Sequence, residues 1–314
     1  GADSPWPELA GRAVTVTAED GVPLRVEVHG PDAATGTVVL AHGYELSGAL
    51  WDRQVAALLA ARPDLRVVAF DQRGHGGSGR TSAARATLGQ LGRDLRTVLD
   101  AVAPTGPVVL AGHSMGGMGL MAFAEQFPEL IGPRVVAVAL VSTSPGRLAE
   151  VTYGLPKAVA ALGQRTLPWF NELARRREAA GKGKPARPGI VRLLVGKGAP
   201  PADVRRTLEV MAACPAATVA DFHLTFTEHD RLAALGALAE VPVLVLSGRR
   251  DLICPVEHSE DIARALPHAR LCVYPDAGHM LQLERPAEVS RQLVELVEVL
   301  PRSGPARRTG SAAT

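Results

Sequence analysis

Six short runs rich in valine and leucine constrain this chain more than any other feature: residues 37–41, 66–70, 108–111, 135–141, 243–246 and 271–274. None alternates polar with apolar side chains, so each suits a strand buried on both faces, as in a mostly parallel sheet. Between them lie segments of helical period. Leu88, Leu91, Leu95, Val98, Leu99 and Val102 share one face, and Val289, Leu293, Leu296, Val297 and Leu300 share another. Strands alternating with helices need right-handed crossovers, which predicts an α/β fold with a doubly wound, mostly parallel sheet. Upstream, 13–17 and 24–28 flank the turn residues Glu19, Asp20 and Gly21 and read as a β-hairpin.

The alternation breaks over residues 145–238, where mixed helical pieces surround a Gly/Lys/Pro-rich stretch at 181–188. This interval reads as an inserted, mainly helical cap on a core made of 1–144 and 239–301. Residues 302–314 are small and basic and read as a disordered tail. With 314 residues and 46% hydrophobic content, one large core is feasible. A formal charge of +2 gives no general electrostatic footprint for nucleic acid or an anionic membrane. The apolar runs are also far shorter than the roughly 20 residues that span a bilayer. Small molecules are therefore the expected partners. Three cysteines, Cys214, Cys254 and Cys272, imply no disulfide framework. A cytoplasmic location is expected on that ground, although a removed signal peptide would leave no trace.

A doubly wound sheet binds ligands beyond the carboxyl ends of its strands, so chemistry should follow the strand runs directly. Gly112-His113-Ser114-Met115-Gly116 does so, after run 108–111 and before a helical segment. A sharp strand-to-helix turn there would expose the Ser114 hydroxyl, with Gly112 and Gly116 removing side chains that would collide. A serine hydroxyl needs a base, and His279, just past run 271–274, is the best candidate. The imidazolium needs an acid. Asp251 follows run 243–246, whereas Asp276 lies too near His279 in a tight turn. Acyl transfer also needs oxyanion donors, for which the backbone N–H groups of Tyr44 and Met115 are suited. Tyr44 belongs to His42-Gly43-Tyr44, directly after run 37–41, and His42 itself reads as structural.

On these residues, together with Asp71-Gln72-Arg73-Gly74-His75-Gly76-Gly77-Ser78, the chain resembles α/β-hydrolase-fold proteins of the esterase, lipase and haloperoxidase-like group. The resemblance covers roughly 13–144 and 238–300. It implies a Ser114, Asp251, His279 triad in the chain order of that fold, with no metal and no organic cofactor. The catalytic roles carry over with the resemblance and the substrate does not; a small-molecule ester with an apolar acyl or alcohol part is the expected partner. The same triad could act on a lactone, a thioester or a carbon–carbon bond, or in perhydrolysis. A ligand-binding or non-hydrolytic biosynthetic protein on this fold is the alternative of another class.

Within the cap, Trp169, Phe170, Met211, Phe222 and Phe226 are candidates to line a substrate pocket, while Arg175, Arg176, Arg177, Lys182 and Lys184 read as a solvated face. Thr227-Glu228-His229-Asp230 resembles a capping box. Gly74, Gly76 and Gly79 satisfy a dinucleotide fingerprint, but the acid it needs is missing, because Asp94 falls inside the 88–102 helix. Asp71 and Arg73 are expected to pin that loop. His42, His75, His113 and Asp71 come from different loops without ligand spacing, which argues against a metal site.

Overall fold

A computed structural model describes residues 6–182, 193–196 and 199–303. Most of the 181–188 stretch, including Lys184, lies outside these residues, as does the expected tail from 304 onward. Eight strands form one sheet: β1 Arg12–Thr17, β2 Pro23–His29, β3 Thr37–Ala41, β4 Arg66–Phe70, β5 Val108–His113, β6 Val135–Val141, β7 Val243–Gly248 and β8 Arg270–Tyr274. Their order is β1-β2-β4-β3-β5-β6-β7-β8. The β1–β2 hairpin and the β2–β4 pair are antiparallel, and every other pair is parallel. Gly21 makes the hairpin turn at φ 86°, a left-handed conformation that costs glycine little.

The helices that lie wholly within the described residues are α1 Asp52–Ala61, α2 Leu88–Val102, α3 Met115–Gln126, α4 Lys157–Ala179, α5 Pro201–Ala213, α6 Ala216–Thr227, α7 Val256–Ala265, α8 Leu281–Glu284 and α9 Pro286–Leu296. The unalternating runs serve two cores at once. In β3, Val39 and Ala41 face Leu95 and Val98 of α2 and Leu120 and Phe123 of α3. Val38 and Leu40 face the other way, toward Val55 and Leu58 of α1 and Val289 and Leu293 of α9. Period-two geometry sends successive side chains to opposite faces, so a strand covered on both sides must be apolar throughout. Each leucine so buried contributes roughly 1.5–3 kcal/mol. Helix α2 starts where Thr87 Oγ1 accepts from Gln90 N–H at 3.1 Å, a side-chain N-cap.

After β3 the chain crosses to β4 on one side, and β5 then pairs with β3 on the other. The carboxyl ends of β3 and β5 thus flank the point where strand order reverses. Between β6 and β7 the described residues supply α4, α5 and α6 and no strand of the sheet. No helix among the described residues is long and apolar enough to cross a membrane.

Candidate active site

Ser114 sits between β5 and α3 with φ 52° and ψ −119°, strained for a side chain with a Cβ. Two bonds hold it there: its N–H donates to Val141 O at 2.9 Å, and its carbonyl accepts from Thr143 Oγ1 at 2.7 Å. The turn is as tight as its glycines allow. A Cβ on Gly116 would stand 2.3 Å from Ala41 O, and one on Gly112 would stand 2.5 Å from Gly116 C. The 42–44 loop also passes close, since a Cβ on Gly43 would lie 2.8 Å from His113 Nδ1 and 3.1 Å from the Cβ of Ser114.

Ser114, His279 and Asp251 are brought together as a chain of hydrogen bonds. His279 Nδ1–H donates to Asp251 Oδ2 at 2.8 Å, and Ser114 Oγ–H donates to His279 Nε2 at 3.0 Å. The carboxylate can only accept, which fixes the proton on Nδ1 and leaves Nε2 as a base. Asp251 Oδ1 accepts from Ile253 N–H at 2.8 Å and Cys254 N–H at 2.9 Å. All three side chains are buried. Asp276 instead pairs with Arg250 at the exposed surface, 2.9 Å apart.

Two further imidazoles support these loops. His42 Nε2 accepts from Gln72 N–H at 2.9 Å and its Nδ1–H donates to Gly43 O at 2.7 Å, while burial pushes its pKa down to about 4. His113 Nε2–H donates to the carbonyl of His279 at 2.9 Å. Burial first, and the neighbouring His279 second, hold His113 well below the usual histidine range. A neutral His113 therefore lies 4.9 Å, ring to ring, from His279. The loop of His279 is tied by Leu194 O, which accepts from His279 N–H and Met280 N–H at 3.2 Å each. Glu284 completes the tether by accepting from Gly278 N–H at 2.9 Å, Met280 N–H at 3.1 Å and Gly196 N–H at 2.8 Å. The sequence gives no local signal for Glu284, whose three partners come from two separate loops.

The chain belongs to the alpha/beta hydrolase fold family. Residues 36–286 match that family's model. A bifunctional esterase/perhydrolase of Acinetobacter calcoaceticus is 27% identical over 290 residues, covering 90% of this chain and 98% of that protein. The dihydrolipoyllysine-residue acetyltransferase component of the acetoin cleaving system of Pseudomonas putida is 29% identical over 298 residues. That match covers 92% of this chain but spans only 65% of the relative's length. A thermophilic esterase of Thermogutta terrifontis, solved with malate bound, superimposes with a TM-score of 0.73 at 27% identity, covering 92% of this chain and 98% of that one.

The five candidates for a substrate pocket do not converge. Phe222 and Phe226 join an apolar cluster with Met115, Met118, Tyr44 and Cys254, beside Ser114. Met211 packs with Leu46, Leu50 and Met280, behind the loops of Tyr44 and His279. Trp169 and Phe170 correct the sequence reading: they pair with each other at 4.8 Å on the exposed side of α4. Apolar character marked them, but not the direction in which the helix turns them. The capping box is also absent. Residue Leu232, not Thr227, precedes the 3-10 helix Ala233–Leu238, and His229 is buried with its Nε2–H donating to Ser144 O at 2.7 Å. Asp71 and Arg73 do hold the glycine loop. Asp71 accepts from Gly48 N–H and Gly77 N–H at 2.8 Å each, and Arg73 forks onto Asp94 at 2.6 and 2.8 Å and onto Asp20 at 2.8 and 3.0 Å. Asp94 also accepts from Gln90 Nε2 at 3.0 Å, within its own helix.

Proposed function

We propose that the protein hydrolyses a carboxylic ester through an acyl-enzyme intermediate, with Ser114 as nucleophile, His279 as base and Asp251 as its orienting acid. The continuous bonding from Asp251 through His279 to a strained, elbow-mounted Ser114 carries this reading. Ser114 Oγ attacks the carbonyl carbon while its proton passes to His279 Nε2, and the buried Asp251 carboxylate stabilises the imidazolium that forms. The N–H groups of Met115 and Tyr44 receive the oxyanion. Met115 opens α3, where first-turn N–H groups have no intrahelical acceptor and the helix dipole favours negative charge. His279 then protonates the leaving alcohol and activates water to release the acid.

Residues 145–238 act as a cap over the core in this reading. Phe222 and Phe226, clustered with Met115, favour an apolar acyl or alcohol group. The esterases among its relatives support ester chemistry for the family's shared machinery. A fluorophosphonate probe and a panel of p-nitrophenyl esters of graded chain length test the proposal. Labelling and turnover by the wild type, both lost in Ser114→Ala, are the expected result. An unlabelled wild type that turns over no ester would overturn it, and turnover confined to lactones or thioesters would reassign the bond.

A further inference from the structure

Helix α4 is amphipathic the wrong way round. Its inward side carries small or polar residues: Ala160 is buried, Gln164 Nε2 donates to Ala149 O at 3.2 Å, and Glu178 accepts from Ala216 N–H at 2.9 Å. The opposite side carries Val159, Leu162, Trp169, Phe170 and Leu173, each between 42% and 64% exposed. Their spacing of three, four and seven residues makes one stripe along the helix. A water-facing helix would place these residues inward, because an exposed contiguous apolar patch of this kind costs solvation and marks an interaction surface.

Just before α4 in the chain, Tyr153 and Leu155 are exposed as well, and so is Leu252. Leu252 directly follows Asp251, and its side chain borders Gly154.

Charge decides what covers this face. Helix α4 carries five basic residues, Lys157, Arg165, Arg175, Arg176 and Arg177, against Glu172 and Glu178; Arg176 pairs with Glu172 at 2.8 Å and Arg175 with Asp221 of α6 at 3.0 Å, so the local excess rests on Lys157, Arg165 and Arg177. Glu178 is turned inward, and Lys182 follows just past the helix end. Aromatic and aliphatic side chains on one face with cations at its flanks are what an interfacial helix needs to lie at a lipid–water boundary of negative charge. The overall charge of +2 hides this local excess.

We propose that α4 is a docking surface for an anionic lipid membrane, with Trp169 and Phe170 entering the headgroup boundary and Arg165 and Arg177 meeting lipid phosphates. The inference concerns the surface and does not depend on the chemistry at Ser114. Flotation of the full chain with phosphatidylcholine vesicles, alone or mixed with phosphatidylglycerol, tests it without an activity readout. Binding is expected only to the mixed vesicles and should fall as salt rises.

Tryptophan emission should shift to the blue on binding. Trp51 is fully buried and Trp6 lies between the guanidinium groups of Arg53 and Arg206, at 4.5 and 4.1 Å, so Trp169 dominates the change. The double variants Leu162→Gln/Trp169→Gln and Arg165→Glu/Arg177→Glu should each weaken binding roughly tenfold or more, with melting temperatures held. Equal binding to both vesicle types, or undiminished binding by both variants, would overturn the proposal. So would a dimer in sedimentation equilibrium that the first variant dissociates while vesicles bind nothing, because a second copy would then be the occupant.

Discussion

Replacing Asp251 with asparagine tests the proposed site at its buried charge. The change preserves shape and still offers one oxygen, but the oxygen can serve only one side. Placed toward Ile253 and Cys254, it keeps the two amide bonds of 2.8 and 2.9 Å and sets an NH₂ group against His279 Nδ1, 2.8 Å away. Flipping the amide sets the same NH₂ against two backbone donors instead. In the first arrangement two donors face each other, so the imidazole moves its proton to Nε2, the atom that must accept from Ser114 Oγ 3.0 Å away. The base is lost, and the imidazolium has no counter-charge. The corresponding substitution in a serine protease costs about 10⁴ in turnover. That is equivalent to ~5.4 kcal/mol of transition-state stabilisation. Steady-state kinetics on p-nitrophenyl butyrate near neutral pH should therefore show kcat lower by about 10⁴ with KM changed little. A turnover within about tenfold of wild type would refute the assignment of the acid. Asp276 could not then be substituted by simple inspection, because it faces Arg250 at the surface.

Other perturbations address the frame around the triad. Arg73→Met leaves Asp94 buried without its cation and should lower stability by about 3–5 kcal/mol in urea titrations, with Arg73→Met/Asp94→Leu recovering much of the loss; equal losses in both variants would contradict the pairing. Gly116→Ala forces a Cβ to 2.3 Å from Ala41 O and should cost roughly 1–3 kcal/mol while displacing Ser114; a variant of native melting temperature and full turnover would contradict the close approach. Stability should also fall as pH drops from 6.5 to 4. Burial holds His42 and His229 at about 4, so in that window the unfolded chain takes up protons that the folded one refuses, at about 3 kcal/mol each. Burial raises Asp52 to about 6 against the attraction of Arg206, and its folded-state protonation offsets about 3 kcal/mol of that loss. A urea midpoint that stays flat from pH 7 to 4 would refute the balance.

The sheet was legible because burial on both faces leaves a mark in composition. Runs such as 37–41 and 135–141 must be apolar throughout to serve two cores, and the structure places a strand on each. Ser114, Asp251 and His279 were findable for a related reason: each lies a few residues past such a run, and parallel strands bring those ends to one edge. Direction was not legible. Trp169 and Phe222 are both aromatic residues on helices between β6 and β7, yet the first faces water and the second is fully buried against Met115. Only the packing of α4 and α6 distinguishes them, and that packing depends on contacts remote in sequence. Tyr44 OH, for example, donates to Val219 O of α6, and Thr218 Oγ1 donates to Gly74 O at 3.0 Å.

The least legible residues are those that make the site rigid. Strain at Ser114 persists only if its surroundings over-determine it. They do so largely through main-chain groups: Val141 O and the Thr143 hydroxyl on Ser114, Leu194 O on His279, and the Glu284 carboxylate on three amides. A backbone carbonyl has no residue identity, so no motif can encode its use. Glu284 shows the consequence. Its side chain binds both glycine-bearing loops beside His279, and substituting it should loosen the base without touching Ser114 or Asp251. The proposed chemistry thus rests on three residues that the sequence names, while their geometry rests on bonds that only the folded chain assembles.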